Sequence, residues 1–254
     1  MALSEPIAAS VLSLAELFSD QNRFRLPHFQ RAYAWSVDQV TRLLTDLIEA
    51  SGRPEARRRH FLGRLLLARP DGGDAVSVID GHQRLMSLTI LFAVLRDLAE
   101  DAAERDRTAP LIAATLKRGD QEEFSVRLTP HAGLAPFMAR YVQSDGATRV
   151  ELDGDPSELS ETEANIIANR DYLRNELRDA DDARALRRQL GEFLCTCCKV
   201  VVIEVEEELE AWSMLQTEEQ TRLDFNPVDR AKASILSARS ASDRDNFAFT
   251  RSSI

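Results

Sequence analysis

Five consecutive residues, Asp80-Gly81-His82-Gln83-Arg84, place a carboxylate, an imidazole, an amide and a guanidinium in one short stretch. Before them, Val76, Val78 and Ile79 form a brief β-branched run, and after them Leu85, Leu88, Leu91, Phe92, Leu95 and Leu98 recur at helical spacing. The pattern predicts strand, tight turn and helix, with Gly81 supplying the backbone freedom of the turn. The leading N–H groups of a helix lack intrahelical partners and carry partial positive charge, so an arginine in the first turn is opposed by roughly 0.3–1 kcal/mol. A phosphate held by those N–H groups and by the Arg84 guanidinium fork relieves the conflict. The same residues also fit a ligand-free surface motif in which Asp80 caps the helix and pairs with Arg84.

The elements that must position this turn can be read on either side of it. His60 to Ala68 (HFLGRLLLA) reads as a buried strand and Pro70-Asp71-Gly72-Gly73 as a turn, so a hairpin is expected to deliver the chain to Asp80. Gly63 within that strand marks a close backbone approach. Ser13-Leu14-Ala15-Glu16 has capping-box spacing and opens a short helix ending near Phe18, followed by an extended piece over residues 23–26. The polar and aromatic segment LPHFQRAYAW (26–35) then leads into a helix capped by Ser36 and Gln39, with Val37, Val40, Leu43, Leu44, Leu47 and Ile48 on one face. Gln30 and Arg31 lie in the loop before that helix, where they can complete a phosphate pocket, and Arg31 matches phosphate geometry best. Tyr33 suits either base stacking or the core, whereas Trp35 suits a staple at the helix start.

Beyond Glu100 the pattern is helical with polar breaks, with a short strand over 124–128 and a helix over 131–142 despite Pro136. A Gly/Asp/Pro-rich stretch over 144–160 is taken as the end of a first domain, residues 1–143. Residues 144–254 are expected to form a mostly helical second region: helices over 161–177 and 182–194, a buried strand over 199–205, and a helix from about Glu207. In the first of these helices Ile166, Ile167, Leu173 and Leu177 form the buried face. Asn226-Pro227 opens a last helix carrying Asp229 and Lys232 at the spacing of an intrahelical pair. The polar tail stops without a cap, as in a chain truncated before a further domain.

Composition narrows the functional classes. At 254 residues with 44% hydrophobic and 29% charged content, the chain is long enough for a proper core. The amino terminus has no basic region and the apolar runs are too short to span a bilayer, which points to a cytoplasmic protein without membrane contact. Cys195, Cys197 and Cys198 crowd one apolar stretch and read as buried thiols in or beside a strand. A formal charge of −10 argues against nucleic-acid binding by bulk charge, although Arg53, Arg57, Arg58, Arg59 and His60 make a local basic run. The four scattered histidines give no His-Glu-x-x-His zinc helix or His-Asn-His nuclease core, and no Walker-type loop occurs.

Three segments taken together, LPHFQRAYAW, HFLGRLLL and VIDGHQRLMSLTIL, resemble in order and spacing the N-terminal family of GmrSD-type restriction endonucleases. That family carries a Pro-x-x-Gln-Arg-x-Tyr-x-Trp segment, a Leu-Gly strand and an Asp-Gly-Gln-Gln-Arg-Leu turn. Near the carboxyl end KVVVIEV and FNPVDRAK match more loosely. His82 stands for the first glutamine of the turn, Met86-Ser87 for paired threonines, and Glu219 to Arg222 for an Asn-Arg-Gly turn. The resemblance implies an α+β fold similar to ParB and sulfiredoxin, a small mixed sheet with helices followed by the mostly helical region. It implies a magnesium-dependent nucleoside triphosphatase of a restriction or phage-defence system, sensing foreign DNA that carries modifications and working with an HNH-type nuclease domain or subunit.

On this reading Asp80 and Arg84 are catalytic, with Asp80 holding Mg2+ or directing water. Gln30, Arg31, Tyr33, Gly81, His82, Gln83 and Ser87 bind the nucleotide, and Asp229 with Lys232 forms a second-region site. The alternative is a non-catalytic module that binds nucleotide or DNA and signals to a separate nuclease.

Overall fold

A computed structural model describes residues 8–19, 22–28, 30–53, 59–69, 75–118 and 121–221. In chain order the strands are β1 (Ala8–Ser13), β2 (Phe24–Arg25), β3 (His60–Ala68), β4 (Val76–Asp80), β5 (Ala113–Arg118), β6 (Gln121–Val126), β7 (Leu128–Thr129) and β8 (Cys198–Val205). β5 and β6 pair only with each other, while the rest build one mixed sheet in the order β1-β8-β3-β4-β2-β7. β3 and β4 are antiparallel, as the hairpin reading requires. β8 runs parallel to β3 and antiparallel to β1, and β2 runs parallel to both β4 and β7. The class is α+β, as expected. The Pro70 to Gly73 turn lies outside the described residues.

The helices are α1 (Leu14–Leu17), α2 (Val37–Ser51), α3 (His82–Leu98), α4 (Ala102–Thr108), α5 (Ala135–Met138), α6 (Glu161–Asp179), α7 (Ala183–Thr196) and α8 (Glu208–Thr221). Capping explains several starts: Ser13 with Glu16, Ser36 with Gln39, and Ser160 with Glu163 each form a capping box. The helix after Pro136 continues past α5 as a π-helical turn, Ala139–Gln143. Cys195 and Cys197 lie at the end of α7 and Cys198 opens β8, and burial pushes the Cys195 thiol up to about 11 and that of Cys198 further.

α3 is the axis of the core. A surface helix shows one apolar stripe, but α3 is buried on nearly all sides, polar residues included, because α4, α6, α7 and the 139–149 turns surround it. Leu85, Leu88, Leu91, Phe92 and Leu95 pack with Leu14, Phe24, Leu44, Leu65, Ile166, Leu190 and Val200 in one cluster. A smaller cluster on the opposite sheet face joins Leu66, Ala68, Ile79 and Val205 to Ala211 and Trp212 of α8.

Residues on both sides of 143/144 pack together. β8 lies inside the sheet between β1 and β3, and Ile166, Leu190 and Val200 share a cluster with residues of the first half. The Gly/Asp-rich stretch is itself bound to the end of α3. Asp97 accepts from Gly146 N (3.1 Å), Thr148 N (2.9 Å) and Thr148 Oγ1 (2.7 Å). Arg96 donates to the carbonyls of Val142, Gln143 and Ser144, and its Nε bonds Asp97 at 2.7 Å. A loop that looks like a linker by composition is thus held by a buried ion pair whose remaining hydrogen-bonding capacity is also used.

Removing one member of such a pair leaves the other buried and uncompensated. Asp97→Ala is expected to lower unfolding stability by about 3–5 kcal/mol in urea titrations, and a loss below about 1 kcal/mol would contradict a buried, saturated pair.

Candidate functional site at the start of α3

β4 ends on Asp80 and α3 begins at His82, so Gly81 makes the whole connection. Its φ is +94°, a conformation that side chains disfavour, and a Cβ there would overlap Leu65 Cδ2 and sit 3.3 Å from the Arg64 carbonyl oxygen. Asp80 Oδ1 accepts the Gly81 N–H at 2.9 Å, while Oδ2 lies 3.6 Å from Arg64 Nη2. The N-cap of α3 is therefore Gly81, without a side-chain cap, and the ion-pair partner of Asp80 is Arg64. This corrects the ligand-free alternative, in which Asp80 both caps the helix and pairs with Arg84.

Arg84 is seated by a second glycine. The pairing of β3 with β8 slips between Phe61 and Arg64, and within that bulge Gly63 has φ +96°. A Cβ on Gly63 would stand 3.0 Å from Arg84 Nη1 and 3.1 Å from both Cζ and Nη2. Near-equal distances to three atoms of a planar group mean that the guanidinium lies face-on over the glycine. Arg84 Nη1 donates to the Arg64 carbonyl at 3.2 Å. Burial pushes the Arg84 pKa below its ordinary value, and the charge of Asp80 opposes that shift. Among the described residues Arg84 forms no salt bridge. A partly desolvated cation that donates to a neutral carbonyl at the start of a helix is able to receive an anion.

The other residues of the predicted site divide between surface and framework. Arg31 is exposed. Gln30 spends its Nε2 on the carbonyls of Val78 (2.9 Å) and Ile79 (2.8 Å), which docks the 26–35 loop on the end of β4. Gln83 is 5% exposed; its Oε1 accepts from Ala34 N (2.9 Å) and Trp35 N (3.2 Å), and its Nε2 donates to Ala32 O (2.8 Å). These backbone partners fix the orientation of the amide. The atom at 2.8 Å from His82 Nε2 is therefore an –NH2 group, and His82 Nε2 acts as the acceptor.

Tyr33 and Ser87 are 2% and 1% exposed. The Tyr33 hydroxyl bonds Ser87 Oγ (2.8 Å) and accepts from Asn169 Nδ2 (2.9 Å), while Ser87 Oγ donates to the Gln83 carbonyl (2.9 Å). Their place is the interior, beneath the turn, and neither offers a group to a ligand at the surface. Of the two roles open to Tyr33, its place in this structure is the core, and both hydroxyls are engaged within the protein.

Asp229 and Lys232 lie outside the described residues, as do Arg57 and Arg58. Among the described residues no group of three or more His, Cys, Asp or Glu could hold a metal ion, and no helix is long and apolar enough to cross a membrane.

Two contributors escaped the sequence reading. Arg64 reaches Asp80 from the strand bulge, for which Gly63 was the only local sign. Asn169 of α6 is fully buried and ties Tyr33 and the Trp35 carbonyl (2.7 Å) to the second half of the chain. Its spacing from Ile166 and Leu173 places it on the apolar face, a polar residue where the periodicity calls for an apolar one.

Gly63→Ala is expected to displace Arg84 and strain β3, with a loss of about 1–3 kcal/mol in unfolding experiments. Unchanged stability would show that the bulge accommodates a Cβ. Burial pushes the Tyr33 hydroxyl up to about 12. A raised folded-state value means that its stabilising contribution is complete below the ordinary tyrosine value near 10 and disappears as pH rises through about 12. Tyr33→Phe is expected to cost about 1 kcal/mol at neutral pH and to flatten the stability profile across that alkaline window.

Comparison with known proteins bears on the whole arrangement. A family model described as GmrSD restriction endonuclease, N-terminal domain, matches residues 14–236. No curated protein matches the chain. The matched span includes the Gln30–Trp35 loop, the Gly63 bulge and the Asp80–Arg84 turn, and the chain belongs to the GmrSD restriction endonuclease N-terminal domain family.

Proposed function

We propose that the chain is the nucleotide-binding and hydrolysing domain of a restriction or phage-defence system, one that senses modified foreign DNA in the cytoplasm and licenses cleavage by a nuclease domain or subunit. The observation that carries the nucleotide part is the seat of Arg84: a partly buried guanidinium laid over Gly63, at the start of α3, with a backbone carbonyl as its bonded partner. A phosphate brings the countercharge that this cation lacks, and the helix start adds oriented N–H donors to it. Such a turn before a helix is also the phosphate contact of the ParB-like folds that the sequence resembles.

Asp80 fits the second requirement, a carboxylate beside the phosphates. Its side chain is 40% exposed, and Oδ2 is held only loosely by Arg64. Mg2+ commonly takes one or two carboxylates, several waters and the substrate phosphates, so Asp80 suffices as the protein's share. The bound ion would supply charge neutralisation across the phosphates. Arg84 orients the phosphoryl group and stabilises negative charge that builds on its oxygens. Gly81 gives the turn its left-handed conformation against Leu65, while Gln30 and Gln83 act one layer below by fixing the loop that carries Arg31.

Phosphate release from each of the four ribonucleoside triphosphates with Mg2+, with and without DNA, tests this reading. Wild-type turnover is expected to fall by at least about 100-fold in Arg84→Ala and to be lost in Asp80→Asn. Saturable nucleotide binding that requires Arg84 but gives no turnover would make the domain a non-catalytic sensor acting through its nuclease partner. Neither binding nor turnover would remove the nucleotide reading.

A further inference from the structure

The sheet face that bears Asp80 continues past the turn, and the bulge in β3 changes what it displays. In a regular strand, residues three apart point to opposite faces. Here Phe61 pairs with Lys199 and Arg64 with Val201, so three residues of β3 span two of β8, and Phe61 and Arg64 emerge on the same face. Leu66, which pairs with Asp80, belongs to that face as well and packs under α8 together with Ala68, Ile79 and Val205. Farther along β3, Phe61 is 51% exposed, an uncommon position for a phenylalanine. The same bulge seats Arg84 over Gly63 and brings Arg64 Nη2 to 3.6 Å from Asp80 Oδ2. One irregularity therefore sets an accessible aromatic ring and two guanidinium groups in a row beside a carboxylate.

We propose that β3 is the long wall of the nucleotide site: Phe61 stacks the base of a nucleoside triphosphate, and Arg64 joins Arg84 in binding its polyphosphate. This rests on the nucleotide reading above. Three residues of strand cover about 10 Å at most, the scale that separates the base of an extended nucleotide from its outer phosphates. Two guanidinium groups complement a polyphosphate better than a monophosphate, and planar forks suit its oxygens. A phosphate oxygen competes with the Asp80 carboxylate for Arg64, and that part-exposed pair at 3.6 Å is weak. Stacking on an aromatic ring tolerates any base, so Phe61 gives affinity without strict choice among nucleotides.

Titration calorimetry of the whole chain with ATP, GTP, CTP and UTP, and separately with inorganic tripolyphosphate, tests the proposal because the last ligand has phosphates and no base. Phe61→Ala is expected to weaken each nucleotide by about tenfold while leaving tripolyphosphate unchanged. Phe61→Tyr should restore the nucleotides. Arg64→Ala is expected to weaken nucleotides and tripolyphosphate alike by about tenfold, with less effect on nucleoside monophosphates. Circular dichroism melts of each variant check that it folds, and Arg64→Gln serves if Arg64→Ala does not. Wild-type nucleotide affinity in both the Phe61 and Arg64 variants would overturn the proposal, as would equal loss of tripolyphosphate in Phe61→Ala. Wild-type protein that binds neither nucleotide nor tripolyphosphate would instead overturn the nucleotide reading on which the proposal rests.

Discussion

The amide of Gln83 is the interaction on which the rest of the site depends. A single buried carboxamide satisfies backbone groups of Ala32, Ala34 and Trp35, and so does for the 26–35 loop what a neighbouring strand would otherwise do. Among the described residues from Leu26 to Trp35 none lies in a helix or strand, and the polar backbone of this loop would be costly to bury without such partners. Gln30 fastens the same loop to the end of β4, and Asn169 fastens it to α6. The Asp80–Arg84 turn is consequently set among fixed neighbours on three sides. Precision at the surface comes from amides in the interior, not from the charged groups that would meet a ligand.

Much of this was legible in the sequence because local rules determined it. Capping boxes at Ser13 and Ser36 place two helix starts, and the β-branched runs mark β4 and β8. The glycines at 63 and 81 were readable as places where the backbone must come close, and both have positive φ. The roles within the LPHFQRAYAW segment were less legible. Glutamine and tyrosine in a loop beside the Asp80–Arg84 turn look like ligand contacts, yet both can serve equally well as hydrogen-bonding framework. Which of the two they are is decided by long-range partners such as Ser87 and Asn169. Arg64 was hidden for a similar reason, since strand alternation assigns it a face that the bulge reverses. Composition at 144–160 could not show the clamp, because Gly, Asp and Pro are as compatible with a loop held by Arg96 and Asp97 as with a linker between domains.

Charge and burial are distributed to match. The framework around α3 uses neutral amides and hydroxyls near the turn, and it reserves a buried ion pair, Arg96–Asp97, for the far end of the helix. A buried ion pair on Arg84 would compete with an incoming phosphate for the same cation. Seating Arg84 on a glycine and a carbonyl leaves its charge uncommitted while holding its plane fixed. The helix that forms the core thus also separates a structural charge from a charge available for chemistry, along the length of α3.

The position of β8 has a consequence for how the chain acquires this structure. Residues 198–205 lie between β1 and β3, so the sheet remains split into two parts until some two hundred residues have left the ribosome. Until then β1 has no partner strand and the apolar edge of β3 is open, and the contacts that close them join residues nearly two hundred positions apart. Loop closure on that scale favours slow folding with an exposed intermediate. The Asp80–Arg84 turn precedes β8 by more than a hundred residues, so the β8 side of its supporting sheet is added only after synthesis has passed Val205.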